Sequence, residues 1–207
     1  PMYCDQFNAL NFQTASSGPT ATVADGTKVR IGYFGQSSFS RHAIVTERNT
    51  VKVRRDVPLH LLGPLGCGIQ TGAGTVINGM CPHAGASIAI IGTGAVGLAA
   101  VLGAVVSGCA TIIAIDRVPS RLALATSLGA THSINTSESA DLASSLRAIA
   151  PLGVNYLVDS AGVPALVSAA LGGLARLGML GLVAVPPTVD RLLELPWASI
   201  LLQGQIV

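Results

Sequence analysis

The sequence predicts an α/β chain, a doubly wound parallel sheet preceded by a smaller β-rich segment, on three observations. Residues 87 to 116 read SIAIIGTGAVGLAAVLGAVVSGCATIIAID: an apolar run, a glycine-rich turn, a small-residue helix and a second apolar run closed by Asp116. Strand-like and helix-like segments then keep alternating, over about 120 residues in all, as a parallel sheet with crossover helices requires. Half of the 207 residues are hydrophobic and only 11% are charged, with aromatics at 4%. That composition suits strands buried on both faces under closely packed helices.

The turn reads Gly92-x-Gly94-x-x-Gly97 and stands where a strand passes into a helix. Gly92 permits the sharp turn, Gly94 lets a pyrophosphate approach the backbone, and Gly97 lets the helix pack against the sheet. Thr93, Ala95 and Val96 complete the loop, and the helix start offers N–H groups to phosphate. Asp116 follows Gly97 by 19 residues, at the tip of the next strand. A carboxylate there accepts from ribose hydroxyls and repels a 2′-phosphate, which favours NAD over NADP. Arg117 beside it pulls the other way. The uncharged run from His83 to Asp116 is long enough to cross a bilayer, but its glycines and β-branched ends fit strand, turn, helix and strand better.

The remaining elements follow in order. Short β-prone runs are expected in residues 27–34, 39–47 and 50–54, between glycine and serine turns. A helix is expected over 59–66, a Gly/Ala/Thr-rich helix over 68–78, and, after the β–turn–α–β unit, a helix over 120–128 stopped at Gly129. A strand at 132–135, a helix over 138–150, a strand at 155–159, a helix over 164–175 and a strand over 178–185 come next. A last strand starts at about Gly204.

These motifs resemble the zinc-dependent medium-chain alcohol dehydrogenases, most closely the aryl- or benzyl-alcohol branch. Residues 34–45, FGQSSFSRHAIV, look like the segment that closes that family's catalytic domain. Residues 64–75, PLGCGIQTGAGT, look like its Cys-Gly motif, and Gly92-Thr-Gly-Ala-Val-Gly, the Leu128-Gly-Ala-Thr turn and Val185-Pro-Pro fall in the family's order. The resemblance implies a remnant of a β-rich, GroES-like catalytic domain over 1–66 and an NAD-binding Rossmann domain over 67–207, its last strand cut short. It implies hydride transfer between an alcohol and NAD, with an aldehyde as product and zinc as Lewis acid.

The same resemblance implies roles for single residues. Cys67 matches the third protein ligand of the catalytic zinc, and Cys4 the last of four cysteines in a structural zinc lobe. Tyr33 and Phe34 fall near the substrate pocket. Arg121 matches a basic residue at the adenosine ribose. Ala161 and Val185 fall where the nicotinamide half of the cleft is lined. The other zinc ligands of the family have no match in this sequence, so the catalytic zinc site is expected to be incomplete and zinc absent, in a fragment or a truncated product.

Other readings remain beside this one. Ser38, Ser40 and His42 alternate on an extended run and form a candidate hydrolytic set, with Asp25 or Asp56 to orient the histidine. No GxSxG elbow accompanies them, and a polar strand face is the plainer reading. A binding module that holds NAD and catalyses nothing is the third. Cys81-Pro-His83 reads as a structural loop, and His60 and His132 as residues without chemistry. A net charge of +2 with scattered arginines implies no nucleic-acid partner. Four widely spaced cysteines imply a reducing, cytoplasmic setting. No signal peptide is visible, although the chain opens on Pro1. The high apolar content leaves room for a homo-oligomer through the last strand or through exposed apolar faces.

Overall fold

Residues 87–91 alternate their side chains between two cores, and the rest of the fold is arranged around them. Ile88 and Ile90 enter one core, Ala89 and Ile91 the other, all fully buried. A strand buried on both faces belongs in the middle of a parallel sheet. The computed structural model describes residues 5, 20–30, 41, 42, 45, 47, 50–186, 188 and 192–207. Contacts divide the chain into two units, Pro1–Val57 and Pro58–Val207.

The described part of the first unit holds an antiparallel hairpin, β1 (Thr20–Thr22) and β2 (Lys28–Arg30), with Ala21 opposite Val29. Asp25 closes its turn by accepting from the Thr27 N–H at 2.8 Å. Residues 50–54, read as β-prone, form no strand. Val51 and Val53 are exposed there, so no half-buried face holds them in a sheet.

The second unit is built on a five-stranded parallel sheet in the order β5-β4-β3-β6-β7. Its strands are β3 (Ser87–Ile91), β4 (Thr111–Asp116), β5 (His132–Asn135), β6 (Val154–Asp159) and β7 (Leu174–Leu182). Ile88 stands beside Ile112 on one side and Tyr156 on the other. Helices α1 (Gly68–Gly74), α2 (Ala95–Val106) and α3 (Pro119–Ser127) cover one face. Val76, Ala100, Val101, Ala104, Leu122 and Ala125 pack there with Ile88, Ile90 and Ile112. On the other face α4 (Leu142–Ile149) and α5 (Pro164–Leu171) bring Leu142, Leu146, Val167 and Leu171 against Ile91, Ile113 and Leu157. The chain runs outward from β3 to β5, then returns to β6 on β3's other side. This reversal opens a crevice at the C-terminal ends of β3 and β6.

Several boundaries differ from expectation, each for a local reason. The helix expected over 59–66 is two 3₁₀ turns, Leu59–Leu61 and Gly63–Gly66, because Gly63-Pro64 interrupts it and proline supplies no N–H. The helix from Gly68 passes at Thr75 into a π-helical turn ending at Met80. α4 starts at Leu142 and not near 138, because Asp141 caps it by accepting from the Ser144 N–H at 3.1 Å. Glu138 instead accepts from Asn135 Nδ2 at 2.6 Å. α5 stops at Leu171 before Gly172-Gly173, so β7 begins at Leu174 and not near 178. Its register shifts against β6 between Val154 and Tyr156, with Leu177 at φ +56°. Gln205 Nε2 donates to the Leu174 and Ala175 carbonyls at this irregularity, 3.2 Å from each.

Helix α6 (Trp197–Gln203) was not expected. Gly204 ends it in the left-handed region, and Ile206 then bridges Met179 in parallel, where the last strand was expected to start. No helix among the described residues is long and apolar enough to cross a membrane.

Leu157, fully buried between the central strands and α5, should lose about 2–5 kcal/mol of stability on Leu157→Ala. Leu202→Ala, at an 80% exposed position, should change stability by less than about 0.5 kcal/mol. Urea unfolding followed by circular dichroism checks both.

Candidate cofactor site

β3 ends at Ile91, and Gly92 turns the chain with φ +85°, a conformation that L side chains rarely adopt. A Cβ on Gly97 would stand 1.8 Å from the Gly92 carbonyl oxygen, so no side chain fits there. Gly94 is the opposite case. A Cβ on it would meet nothing within 4 Å, which leaves open space over the backbone where a phosphate can approach. Gly94 is also the N-cap of α2 and has no side-chain cap, and Leu98 N–H is bonded to its carbonyl. The earlier N–H groups of the first turn face the loop's open side with the positive end of the helix dipole.

Ser160, which the sequence reading did not single out, braces this turn from β6. Its hydroxyl lies 3.0 Å from the Ile91 carbonyl and 2.8 Å from the Gly92 carbonyl, and donates between them. Its N–H donates to Ile91 at 2.9 Å. The available signal was its place directly after the last residue of a buried strand, next to the sheet's reversal.

Asp116 ends β4 and is turned toward the loop. Oδ2 accepts the Thr93 N–H and the Thr93 hydroxyl, each at 2.8 Å. Oδ1 accepts the N–H groups of Arg117 at 2.7 Å and Val118 at 3.0 Å. Burial pushes the carboxyl's pKa up, but the bonds from Thr93, Val118 and Arg117 outweigh it and hold it below the usual carboxylate range. These bonds therefore add stability that is full above the unfolded pKa of about 3.9 and is lost as pH falls through the lower folded value. Arg117 and Arg121 follow the carboxylate in sequence, both exposed, Arg121 in the first turn of α3.

Asp159, at the corresponding end of β6, behaves in the opposite sense. It is almost completely buried, and burial raises its pKa against the bonds it accepts from the Ala161 and Gly162 N–H groups. Those bonds shape the loop that carries Ala161. A Cβ on Gly162 would stand 2.8 Å from the Val185 carbonyl oxygen, so the loops after β6 and β7 touch. Ala161 and Val185, both expected at the nicotinamide half, are thereby neighbours at one rim of the crevice and are exposed.

Cys67 is exposed at the start of α1. α1 lies directly on the first turn of α2: a Cβ on Gly68 would be 3.7 Å from Ala95 Cβ, and one on Gly72 would be 2.0 Å from the Val96 carbonyl oxygen. The Cys-Gly motif and the glycine-rich loop are thus brought side by side. Among the described residues no three His, Cys, Asp or Glu side chains cluster as metal ligands. One thiol does not make a zinc site, so the described residues by themselves do not fit the metal.

Cys4, Tyr33, Phe34, Ser38 and Ser40 lie outside the described residues. His42 is described and exposed. The aspartates considered as its partners have local roles, Asp25 in the hairpin turn and Asp56 paired with Arg54. Cys81-Pro-His83 is a structural loop: Cys81 ends the π-helical turn at φ 47° with its thiol 3.3 Å from the Asn78 carbonyl. His132 Nδ1 lies 2.9 Å from the Thr131 hydroxyl.

The sheet order, the glycine turn and the acidic strand tip together define a Rossmann-like α/β fold. Residues 95–206 match the sequence model of the zinc-binding dehydrogenases. The chain belongs to that family, as the resemblance to the zinc-dependent medium-chain alcohol dehydrogenases implied. It is 40% identical to geraniol dehydrogenase of Castellaniella defragrans, over 98% of this chain and 56% of that protein. An alcohol dehydrogenase zinc-binding domain protein from Burkholderia ambifaria superposes with TM-score 0.91 at 46% identity, over 99% of this chain and 55% of that one. Benzyl alcohol dehydrogenase of Acinetobacter calcoaceticus superposes with TM-score 0.88 at 41% identity, over 100% and 55%. The chain therefore spans about half the length of these relatives. Nothing in the comparisons supports the hydrolytic alternative at Ser38, Ser40 and His42.

The raised pKa of Asp159 has a measurable sign. As pH rises from about 3.9 through the folded value, the native state holds a proton the unfolded chain has released, and stability is lost. Asp159→Asn does not titrate, so the Tm of the variant minus that of the parent should grow with pH across that window. A difference independent of pH would contradict the assignment.

Proposed function

We propose that the chain binds NAD, in preference to NADP, at the C-terminal ends of β3, β4 and β6. We propose further that it serves the oxidation of a primary aryl or benzyl-type alcohol to the aldehyde. The observation that carries the reading is the Gly92–Gly97 turn, open over Gly94, beside the buried Asp116 carboxylate. In this arrangement the first turn of α2 holds the pyrophosphate and Asp116 accepts from the adenosine ribose. Arg117 and Arg121 border the adenosine, and the exposed rim at Ala161 and Val185 takes the nicotinamide half. NAD would supply the hydride acceptor, and the glycine turn, Asp116 and the rim at Ala161 and Val185 would orient it.

The substrate class draws on the relatives' names. Geraniol and benzyl alcohol both carry a primary carbinol next to an sp² carbon. Tyr33 and Phe34 are the residues proposed for the substrate pocket. The small alcohol and aldehyde are the proposed partners. Contact with another copy through the last strand or the apolar faces also remains a proposal.

Calorimetry with NAD and NADP tests the cofactor. The parent chain should bind NAD more tightly than NADP, and Asp116→Ala should weaken NAD binding by about 10- to 100-fold, the worth of hydrogen bonds to a charged group. A parent chain that does not bind NAD would overturn the reading. For the substrate, NADH formation should be faster with benzyl alcohol than with ethanol, and equal rates would reject the aryl preference.

A further inference from the structure

Asp116 has no vacant acceptor position. An ionised carboxylate offers about four lone-pair sites on its two oxygens. Thr93 N–H and Thr93 Oγ1–H fill those on Oδ2, both at 2.8 Å. Arg117 N–H at 2.7 Å and Val118 N–H at 3.0 Å fill those on Oδ1. The arrangement is enclosed: Thr93 is fully buried and Asp116 is 9% exposed. A ribose that donates to this carboxylate must therefore displace a donor already in place.

The four donors are not equally able to leave. Three are backbone N–H groups. Those of Arg117 and Val118 are held by the chain's passage from β4 into α3, and that of Thr93 by the turn that Gly92, Gly97 and Ser160 fix. The fourth is a hydroxyl, which one rotation about χ1 carries to another staggered position. It is also the donor most like the incoming group, an O–H on a short aliphatic stem.

We propose that the Thr93 hydroxyl is a built-in stand-in for an adenosine-ribose hydroxyl. It caps Asp116 in the nucleotide-free protein and gives up its position when a ribose arrives. The inference rests on the NAD reading above and adds to it a residue that sets affinity through Asp116. Exchange of one hydroxyl for another keeps the buried carboxylate bonded throughout. It also subtracts the lost Thr93 bond from the bond that the ribose gains, so the threonine holds nucleotide affinity down. An alanine, which removes both the donor and the space it fills, leaves Asp116 one bond short in the free protein, and the ribose then fills a vacancy.

The test compares the parent chain with Thr93→Ala and Thr93→Ser by calorimetry, using NAD, ADP and 2′,3′-dideoxy-ADP. Thr93→Ala should bind NAD and ADP roughly three- to tenfold more tightly, the worth of one hydrogen bond. It should not gain for the dideoxy nucleotide, and Thr93→Ser should behave as the parent. Equal or weaker ADP binding by Thr93→Ala than by the parent overturns the stand-in and leaves the NAD reading in place. The same gain for both nucleotides also overturns it, since the effect would not involve ribose hydroxyls. A parent that binds none of the three nucleotides overturns the NAD reading and the proposal with it. Should the alanine variant fail to fold, Thr93→Gly removes the same donor and carries the same expectations.

Discussion

The approach of α2 to the end of β3 governs the geometry of the crevice. The Gly92 carbonyl sits where a side chain on Gly97 would be, 1.8 Å from the position of its Cβ. Helix α2 can therefore start immediately after the strand, with its first N–H groups beside the turn. Two further contacts depend on this. Ser160 reaches the Gly92 carbonyl at 2.8 Å through space that a Gly97 side chain would fill, its hydroxyl 2.8 Å from that Cβ position. α1 can lie on the first turn of α2 only because Gly72 has no side chain to meet the Val96 carbonyl. A bulkier residue at Gly97 would move α2 outward, and the brace, the open space over Gly94 and the placement of Cys67 would all shift with it.

Two carboxylates end neighbouring parts of the same sheet in different electrostatic states. Asp116 is surrounded by four donors and Asp159 by the N–H groups of Ala161 and Gly162. Burial raises both, and Asp159, the more deeply buried, has fewer bonds to offset it, whereas the four bonds at Asp116 outweigh burial. Asp116 stays charged to lower pH, which suits a group meant to accept from hydroxyls. Asp159 keeps its proton to higher pH, and its bonds shape the loop that bears Ala161. One carboxylate is suited to a ligand and the other to the backbone around it.

The parts legible in the sequence were those specified within a short window. β3, its turn, α2 and β4 could be read because glycine spacing and apolar runs are local signals. The same holds for α3, which begins at Pro119 and ends before Gly129. Boundaries failed where a single residue overrode a propensity: Pro64 in the 3₁₀ turns, Asp141 at the cap of α4, Gly172-Gly173 before β7. α6 was missed because Trp197, Leu201 and Leu202 are all exposed, so no buried face gives it periodicity. The site's internal bonds were out of reach for another reason. Thr93 and Asp116 are 23 residues apart, and Ser160 and Gly92 are 68 apart. Only the parallel sheet, which aligns strand ends, makes neighbours of them.

That alignment is uneven across the crevice, and the unevenness bears on how a dinucleotide is held. The proposed adenosine and pyrophosphate half is made by β3, β4 and the start of α2, and the two strands set their side chains in two buried clusters. Thr93 and Asp116 belong to this rigid part. The proposed nicotinamide half is made by loops after β6 and β7, with Ala161 and Val185 exposed at the rim. Donors already fixed by a packed core lose little freedom on binding, whereas an exposed rim must be ordered by the ligand or by other protein. Binding free energy in this unit should therefore concentrate on the adenosine diphosphate portion. That is the portion over which Thr93 and Asp116 act, so a change of one hydroxyl there is felt in the affinity for the whole cofactor.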